Sequence, residues 1–437
     1  MNDERASSAG SVTAPPGAAE SAGASSRGGW LALLACVVAI YGALALWPDT
    51  MRFFGVGTGG RWFRDARTVL AGSDAAKLGI DTTTSNPLDA DGAFFDYPRT
   101  WYVASRLGLT RENATLAGLL FVAAAFFAIA AVVRPRRAGE MLAAVAIAGS
   151  PPLWLAFNRG NADLLLFALL APVAALLFAR SRFGEVAALA LVALATSLKF
   201  YPALGAVVFL AANRPRRAWL GRLGAVGAVF GVLALLLAAD ARRFQGQGWL
   251  PHGLFTFGAA ALPMNFGVPA GEAIRGGVLA GAIVFALALL WQPLRGWMAA
   301  AESAREKTMF VLGATLLTGC FFSVINFEYR FVFALFLLPL AWTVTRGGRG
   351  TPRLAAGLLR GIVLLAVVLC WSDGIACALV NFLGAGIERS TAIALRRDVG
   401  LAGAVLAWLW AAMLAIFVAD FVRGSVVRAM RAPAAGA

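Results

Sequence analysis

The chain has little charge, one histidine and few cysteines, and each shortage closes a class of protein. Only 14% of its 437 residues are charged, against about 25% in an ordinary soluble domain, so a water-facing globular protein is excluded. His252 is the sole histidine, which leaves no imidazole set for a metal centre. Cys36, Cys320, Cys370 and Cys377 lie in or beside apolar runs with no C-x-x-C pair. Neither a zinc site nor a disulfide framework fits that placement, and small core residues do. Acids are the scarcer sign, 23 Asp and Glu against 38 Lys and Arg. The excess of base would suit nucleic acid if it lay along one periodic stripe. It falls instead in short clusters between apolar runs, so no nucleic-acid partner is expected.

What the chain does have is apolar length: 60% of it is hydrophobic, 48 residues are Gly and its mean hydropathy is +0.74. The matching solvent is a bilayer, which a helix of roughly 17 to 25 apolar residues spans. Residues 1–29, rich in Ala, Gly and Ser, read as a disordered tail. The run 30–47 is too long for the apolar part of a signal peptide and lacks a clear small-x-small cleavage site, so it reads as a retained first span. Apolar runs recur at 114–133, 141–157, 163–179, 186–212, 223–239, 276–292, 308–325, 331–345, 354–377 and 399–420.

Between many of these runs stand short basic loops: Arg134, Arg136 and Arg137; Arg180 and Arg182; Arg214, Arg216, Arg217 and Arg222; Arg295, Arg305 and Lys307; Arg346, Arg349 and Arg353; and Arg423, Arg428 and Arg431 near the C-terminus. The positive-inside rule assigns all of them to the cytoplasm, and they also suit anionic lipid headgroups. The run 186–212 then has cytoplasmic clusters on both flanks and must go out and return. Its middle is Lys199-Phe200-Tyr201-Pro202, where Pro202 biases Tyr201 away from helix, so the run is expected to split into two short helices. No matching break is visible in the second half. The expectation is an all-α polytopic membrane protein of about 12 helical passes with both termini cytoplasmic. Residues 30–422 form its membrane domain, 49–113 a large structured first outer loop, and 423–437 a cytoplasmic tail.

With that orientation the remaining polar groups share the outer side. The hairpin tips carry Asn158-Arg159-Gly160-Asn161-Ala162-Asp163, Lys199-Phe200-Tyr201-Pro202 and Asn326-Phe327-Glu328-Tyr329-Arg330, and ionisable groups at such depth mark substrate paths. The outer loop adds Asp49, Asp65, Asp74, Asp81, Asp89, Asp91, Asp96 and Glu112 with Trp62, Phe94, Phe95, Tyr97 and Trp101. A connection of that length is expected to be functional and partly folded. A short helix carrying Asp65 and a second one over about 98–107 are expected within it. Arg159, Lys199 and Arg330 suit a phosphate or diphosphate, a loop carboxylate suits general-base work, and the aromatic residues suit sugar faces. The chemistry this set supports is transfer from a lipid phosphate.

Plainer readings stand beside these. Arg159 with Asp163 is also what a structural ion pair closing a hairpin looks like. Glu328 with Arg330 also suits charges at a tight surface turn, Lys199 a snorkelling side chain, and each loop acid a solvated group. His252 and the aromatic loop 244–266, with Trp249, Phe255 and Phe257, read as an interfacial anchor or as a lid.

The series Asp65, Ala66 and Gly72, then Phe95-Asp96-Tyr97-Pro98, Asn158-Arg159-Gly160-Asn161-Ala162-Asp163 and Lys199-Phe200-Tyr201-Pro202 resembles glycosyltransferase family 87. Asn326-Phe327-Glu328-Tyr329-Arg330 is similar to an Asn-x-x-Tyr-Arg element of some members. The resemblance covers roughly residues 30–345 and rests on short motifs in matching order. It departs at Asn161, where many members have Gln, and at Arg99, where many have a second Pro. It implies a GT-C-fold membrane glycosyltransferase that takes a sugar, often mannose, from a polyprenyl-phosphate donor at the outer face and passes it to a lipid or glycan acceptor. Asp65 is implied as the general base, with Asp96 as the second candidate. Arg159, Asn161, Asp163, Lys199, Tyr201, Glu328, Tyr329 and Arg330 are the candidate phosphate and substrate residues. No cofactor or metal is expected beyond the lipid-linked sugar, and the setting is the inner membrane. Two rival readings are a secondary transporter or lipid flippase, and a surface-polysaccharide polymerase or ligase.

Overall fold

The computed structural model describes residues 18–57, 62–179, 181–211, 214–245, 255–323, 326–347, 350–383 and 389–431. Arg180, Trp249, His252 and Arg349 therefore lie outside the described residues. Among those described, the regular elements are helices apart from two strands of two residues each, Thr256–Phe257 and Asn326–Phe327, paired antiparallel with Thr256 opposite Phe327.

Among the described residues, seven helices are long and apolar enough to cross a membrane, or eight if the bent pair Ala138–Ala148 and Pro151–Arg159 counts as one span. The apolar runs that bring the expected number to twelve include shorter pieces, among them Ala162–Leu177 and Tyr201–Leu210. The first helix spans Ala18–Leu46, so it begins inside the segment expected to be a disordered tail. The last, Arg389–Arg431, runs past residue 422 into the expected C-terminal tail. Both extensions follow from Ala-rich or apolar sequence that continues the helical repeat without a proline to stop it.

Two kinds of helix are present. Gly28–Leu46, Arg216–Arg243 and Ala270–Trp291 bury little of themselves and turn large apolar side chains outward, with Leu235 80% and Leu290 75% exposed. That much uncovered apolar surface needs lipid around it. The inner helices Ala304–Ser323 and Glu328–Leu337 are buried on nearly every face, with Phe310, Phe321, Phe331, Phe333 and Phe336 closed off from solvent. Phe167 stacks on Phe336 at 4.7 Å between ring centroids.

Two ten-residue 3-10 helices, Tyr201–Leu210 and Glu328–Leu337, lie in this inner layer. Runs beyond three or four residues in that geometry are uncommon and often mark functional breaks. The first follows the Pro202 signal. The second is a break the sequence did not announce, because no proline marks it. The Asn326–Phe327 strand pairs with residues about 70 positions earlier, and the Asn326 side-chain amide donates to the Cys320 carbonyl at 2.7 Å.

Phe255 and Phe257, expected in a surface anchor or lid, are only 4% and 3% exposed, since this strand pair draws them inside. The stretch after the first long helix carries short elements of its own. It contains Pro48–Phe53, Arg64–Lys77 and the short turns Arg99–Tyr102 and Val103–Arg106. It is tied together by Ser105 N–H to Ser73 Oγ at 2.9 Å and Arg111 N–H to Asp74 Oδ2 at 2.9 Å.

Candidate functional site

The motif Asn158-Arg159-Gly160-Asn161-Ala162-Asp163 ends one helix and starts the next within two residues. Gly160 takes the left-handed conformation, φ 56°, and Asn161 N–H reaches back to the Ala156 carbonyl at 2.9 Å, the helix-ending turn that favours glycine. The Asn161 side chain then caps the following helix by accepting from Asp163 N–H at 2.9 Å, a preferred role for asparagine. This leaves Arg159 on the last turn of one helix and Asp163 on the first turn of the next, where its charge suits the helix dipole.

Lys199 stands where the Arg182–Leu198 helix stops, in extended conformation with φ −153°. A continuing helix would bond the N–H of residue 202 to the Leu198 carbonyl, and proline has none to give. The indole Nε1–H of Trp101 supplies it instead, at 3.0 Å. One bond thus satisfies a stranded buried carbonyl and pins the first loop onto the break.

Asp65 lies in the first turn of Arg64–Lys77. Phe63 enters that helix at φ 62° and donates its N–H to the Asn158 carbonyl at 2.6 Å. Gly72 on the same helix faces Phe95 so closely that a Cβ there would sit 2.1 Å from the ring. Backbone contact therefore seats Asp65 against the Asn158 to Asp163 turn.

Five distant stretches meet as a result. Arg159 Nε pairs with Asp65 Oδ1 at 2.7 Å, and Asn161 Nδ2 donates to Asp65 Oδ2 at 2.5 Å. Lys199 Nζ pairs with Asp163 Oδ1, and Arg330 Nε lies 3.7 Å from Asp163 Oδ2. The Arg159 to Asp163 pair that the hairpin sequence allowed does not form, because each residue takes a partner from a different segment. Tyr97 and Tyr329 flank the Lys199 ammonium at 5.6 Å each, Tyr201 underlies Arg330 at 4.4 Å, and Phe327 underlies Arg159 at 5.6 Å. These faces favour cations held away from water.

Asp163 Oδ2, Arg330 Nε and the Tyr201 hydroxyl are buried without a hydrogen-bond partner among the described residues. In a native fold that marks room for a bound polar group or water. Three cations meet two carboxylates in this set, leaving a positive charge over.

Asp96 stands beside the cluster, exposed at its edge. The surrounding protein nevertheless sheds enough water to push its pKa up to about 6. Lys199 opposes the rise and Asp65 adds to it. The segment is latched to the Arg216–Gln245 helix: Asp240 accepts from Arg99 N–H at 2.9 Å, and Arg243 donates to the Tyr97 carbonyl at 2.8 Å and to the Tyr102 hydroxyl at 3.2 Å. Asp240 and Arg243 are residues that sequence reading missed. Their only signal was a pair of charges at the end of an apolar helix.

Of the expected site residues, Asp65, Asp96, Arg159, Asn161, Asp163, Lys199, Tyr201, Tyr329 and Arg330 come together. Glu328 does not make an ion pair with Arg330, nor does it lie exposed at a surface turn. It is 7% exposed, its N–H donates to the Phe255 carbonyl at 2.8 Å, and its carboxyl faces Asp373 and Cys370. Glu328 opens the 3-10 helix Glu328–Leu337, where three residues per turn set it and Arg330 about 120° apart around the axis, so the two do not share a face. Among the described residues no three His, Cys, Asp or Glu side chains are grouped to hold a metal ion. No family model matches the chain, and neither the curated proteins nor the solved structures give a match.

Proposed function

We propose that the protein is an integral-membrane glycosyltransferase of GT-C-like architecture. It moves a hexose, such as mannose, from a polyprenyl-phosphate donor to a lipid or glycan acceptor at the outer face of the inner membrane, with inversion. Both termini lie in the cytoplasm in this reading, and the shorter apolar pieces complete the passes beyond those counted by length. The observation that carries the reading is the convergence of Arg159, Lys199 and Arg330 from three separate turns, with buried polar atoms among them left unbonded. A phosphate oxygen accepts from the Arg330 Nε–H and the Tyr201 hydroxyl, and fixed cations in a water-poor site stabilise the charge on the departing phosphate.

Asp65 removes the proton from the acceptor hydroxyl as that oxygen attacks the sugar's anomeric carbon and the bond to phosphate breaks. Before donor binds, Arg159 and Asn161 hold both oxygens of Asp65. A donor phosphate competing for the Arg159 guanidinium frees it, so the base becomes active once donor is bound. Asp96, open to solvent with a pKa of about 6, receives the proton and passes it to water.

The test is sugar transfer by purified protein in liposomes supplied with polyprenyl-phosphate mannose. Transfer is expected to vanish in Asp65→Asn and in Lys199→Ala. Unchanged transfer in both overturns the mechanism.

A second reading, a lipid transporter or flippase, draws support from the paired 3-10 segments Tyr201–Leu210 and Glu328–Leu337, since transporters use broken helices at their sites. Cysteines at 159, 199 and 330 that label alternately from both sides favour transport. Labelling from the outer side alone favours the enzyme.

A further inference from the structure

At the end of the bundle remote from Asp65 and Lys199, a groove of about 510 Å³ runs between the helices Ala138–Ala148, Leu338–Thr345 and Arg353–Leu383. Its size lies within the roughly 300 to 1,000 Å³ of ligand sites. Ala143, Ala146 and Ala341 keep it open by being small, and Leu142 and Leu364, 71% and 64% exposed, form its outer walls. It is apolar along its length and cationic at one end only, where Arg137 and Arg360 stand.

The charges at that end are unequally used. Glu140 is saturated: Arg346 Nε donates to it at 2.7 Å, Arg346 Nη2 donates as well, and the backbone N–H groups of Arg136 and Arg137 add bonds at 2.6 and 3.3 Å. Among the described residues the Arg137 guanidinium reaches only the Thr345 carbonyl, at 3.5 Å. Arg360 makes no ion pair or hydrogen bond among the described residues, although it stands two turns into an apolar helix, about 10 Å along its axis from Arg353. An exposed arginine at that depth reaches for the headgroup zone.

We infer that this groove is a binding site for an anionic phospholipid of the cytoplasmic leaflet, with one acyl chain along Ala143 and Ala146 and the phosphate between Arg137 and Arg360. An apolar trench with two spare cations at its mouth matches a molecule that is a hydrocarbon chain with a phosphate at one end. Guanidinium forks bind phosphate with two parallel bonds. The opposite end carries the proposed catalytic cluster, so this lipid is distinct from the donor and the inference does not depend on the enzymatic reading.

The test is native mass spectrometry of purified protein released from micelles containing phosphatidylglycerol or phosphatidylcholine of the same chain length. Wild type is expected to retain one phosphatidylglycerol and little phosphatidylcholine. Retention should fall roughly five-fold for each cation removed in Arg137→Gln and Arg360→Gln. Both side chains are exposed, so the fold should survive their loss, and unchanged thermal unfolding in detergent checks this. Ala143→Leu, which narrows the trench, should lower retention with the arginines intact. A polyprenyl phosphate added in competition should leave the bound phospholipid in place. Equal retention of the two phospholipids, retention unchanged in the double arginine variant, or displacement by the polyprenyl phosphate overturns the assignment.

Discussion

The two ends of the bundle each hold a buried acid against arginines, and they use them differently. Around Glu140 the account closes: every carboxylate oxygen is bonded, to Arg346 and to two backbone N–H groups. Around Asp163 it does not close. Lys199 takes one oxygen, Arg330 stands 3.7 Å from the other, and among the described residues neither that oxygen nor the Tyr201 hydroxyl beside it has a partner at full hydrogen-bond geometry. Closed clusters hold helices together, whereas open ones leave valence for something that binds. Ion pairs of similar composition therefore serve opposite ends, and burial alone does not tell them apart.

The sharpest way to break this comparison is Lys199→Met. It leaves Asp163 buried with Arg330 alone, and losing one partner of a buried pair costs about 3 to 5 kcal/mol. Thermal unfolding in detergent should show that loss, and transfer should disappear even below the unfolding temperature. Next in size is Asp96→Asn. If Asp96 handles the proton, the rate should fall by roughly 10² to 10⁴.

The pH dependence gives Asp96 a second signature. Wild-type transfer should rise with pH through a midpoint near the Asp96 pKa of about 6 and then level off. The sign for stability is the reverse. An unfolded Asp titrates near 3.9, so the folded state holds the proton more tightly, and the stability linked to it is lost as pH rises through about 6. Asp96→Asn should therefore be at least as stable as wild type above pH 6 while being less active. A parallel loss of stability and activity would mean that Asp96 is structural.

Smaller effects sharpen the contrast. Trp101→Phe keeps the ring but strands the Leu198 carbonyl that the indole satisfies at 3.0 Å. That should cost about 1 to 3 kcal/mol and raise the donor KM, because Lys199 loses its seat. Arg346→Gln should cost roughly 1 to 2 kcal/mol, since Glu140 keeps its two backbone donors. Transfer per folded molecule should be unchanged. Equal losses of transfer from Arg346→Gln and Lys199→Met would erase the distinction between the ends.

The one-dimensional signals were strong wherever the cause was local. Apolar length marked the helices, Pro202 marked the break after Leu198, and Gly160 with Asn161 marked the turn between two helices, because backbone geometry there depends on neighbours in sequence. The site residues were visible as charges left over in apolar surroundings, which is why nine of the ten expected ones gather. Their pairing was not visible. Arg159 chooses Asp65, 94 residues away, over Asp163, four residues away, and Glu328 turns from Arg330 toward Asp373. The second break, at Asn326, rests on a strand partner at Thr256–Phe257, and the Asp240 and Arg243 latch on contacts about 140 residues apart. Sequence alone determined that this chain lives in lipid and which groups it keeps polar there, because transfer free energy is a property of each residue. Which cation meets which carboxylate, and which oxygens stay free, only the tertiary structure decided, because Coulomb energy and hydrogen bonding depend on distances that folding sets.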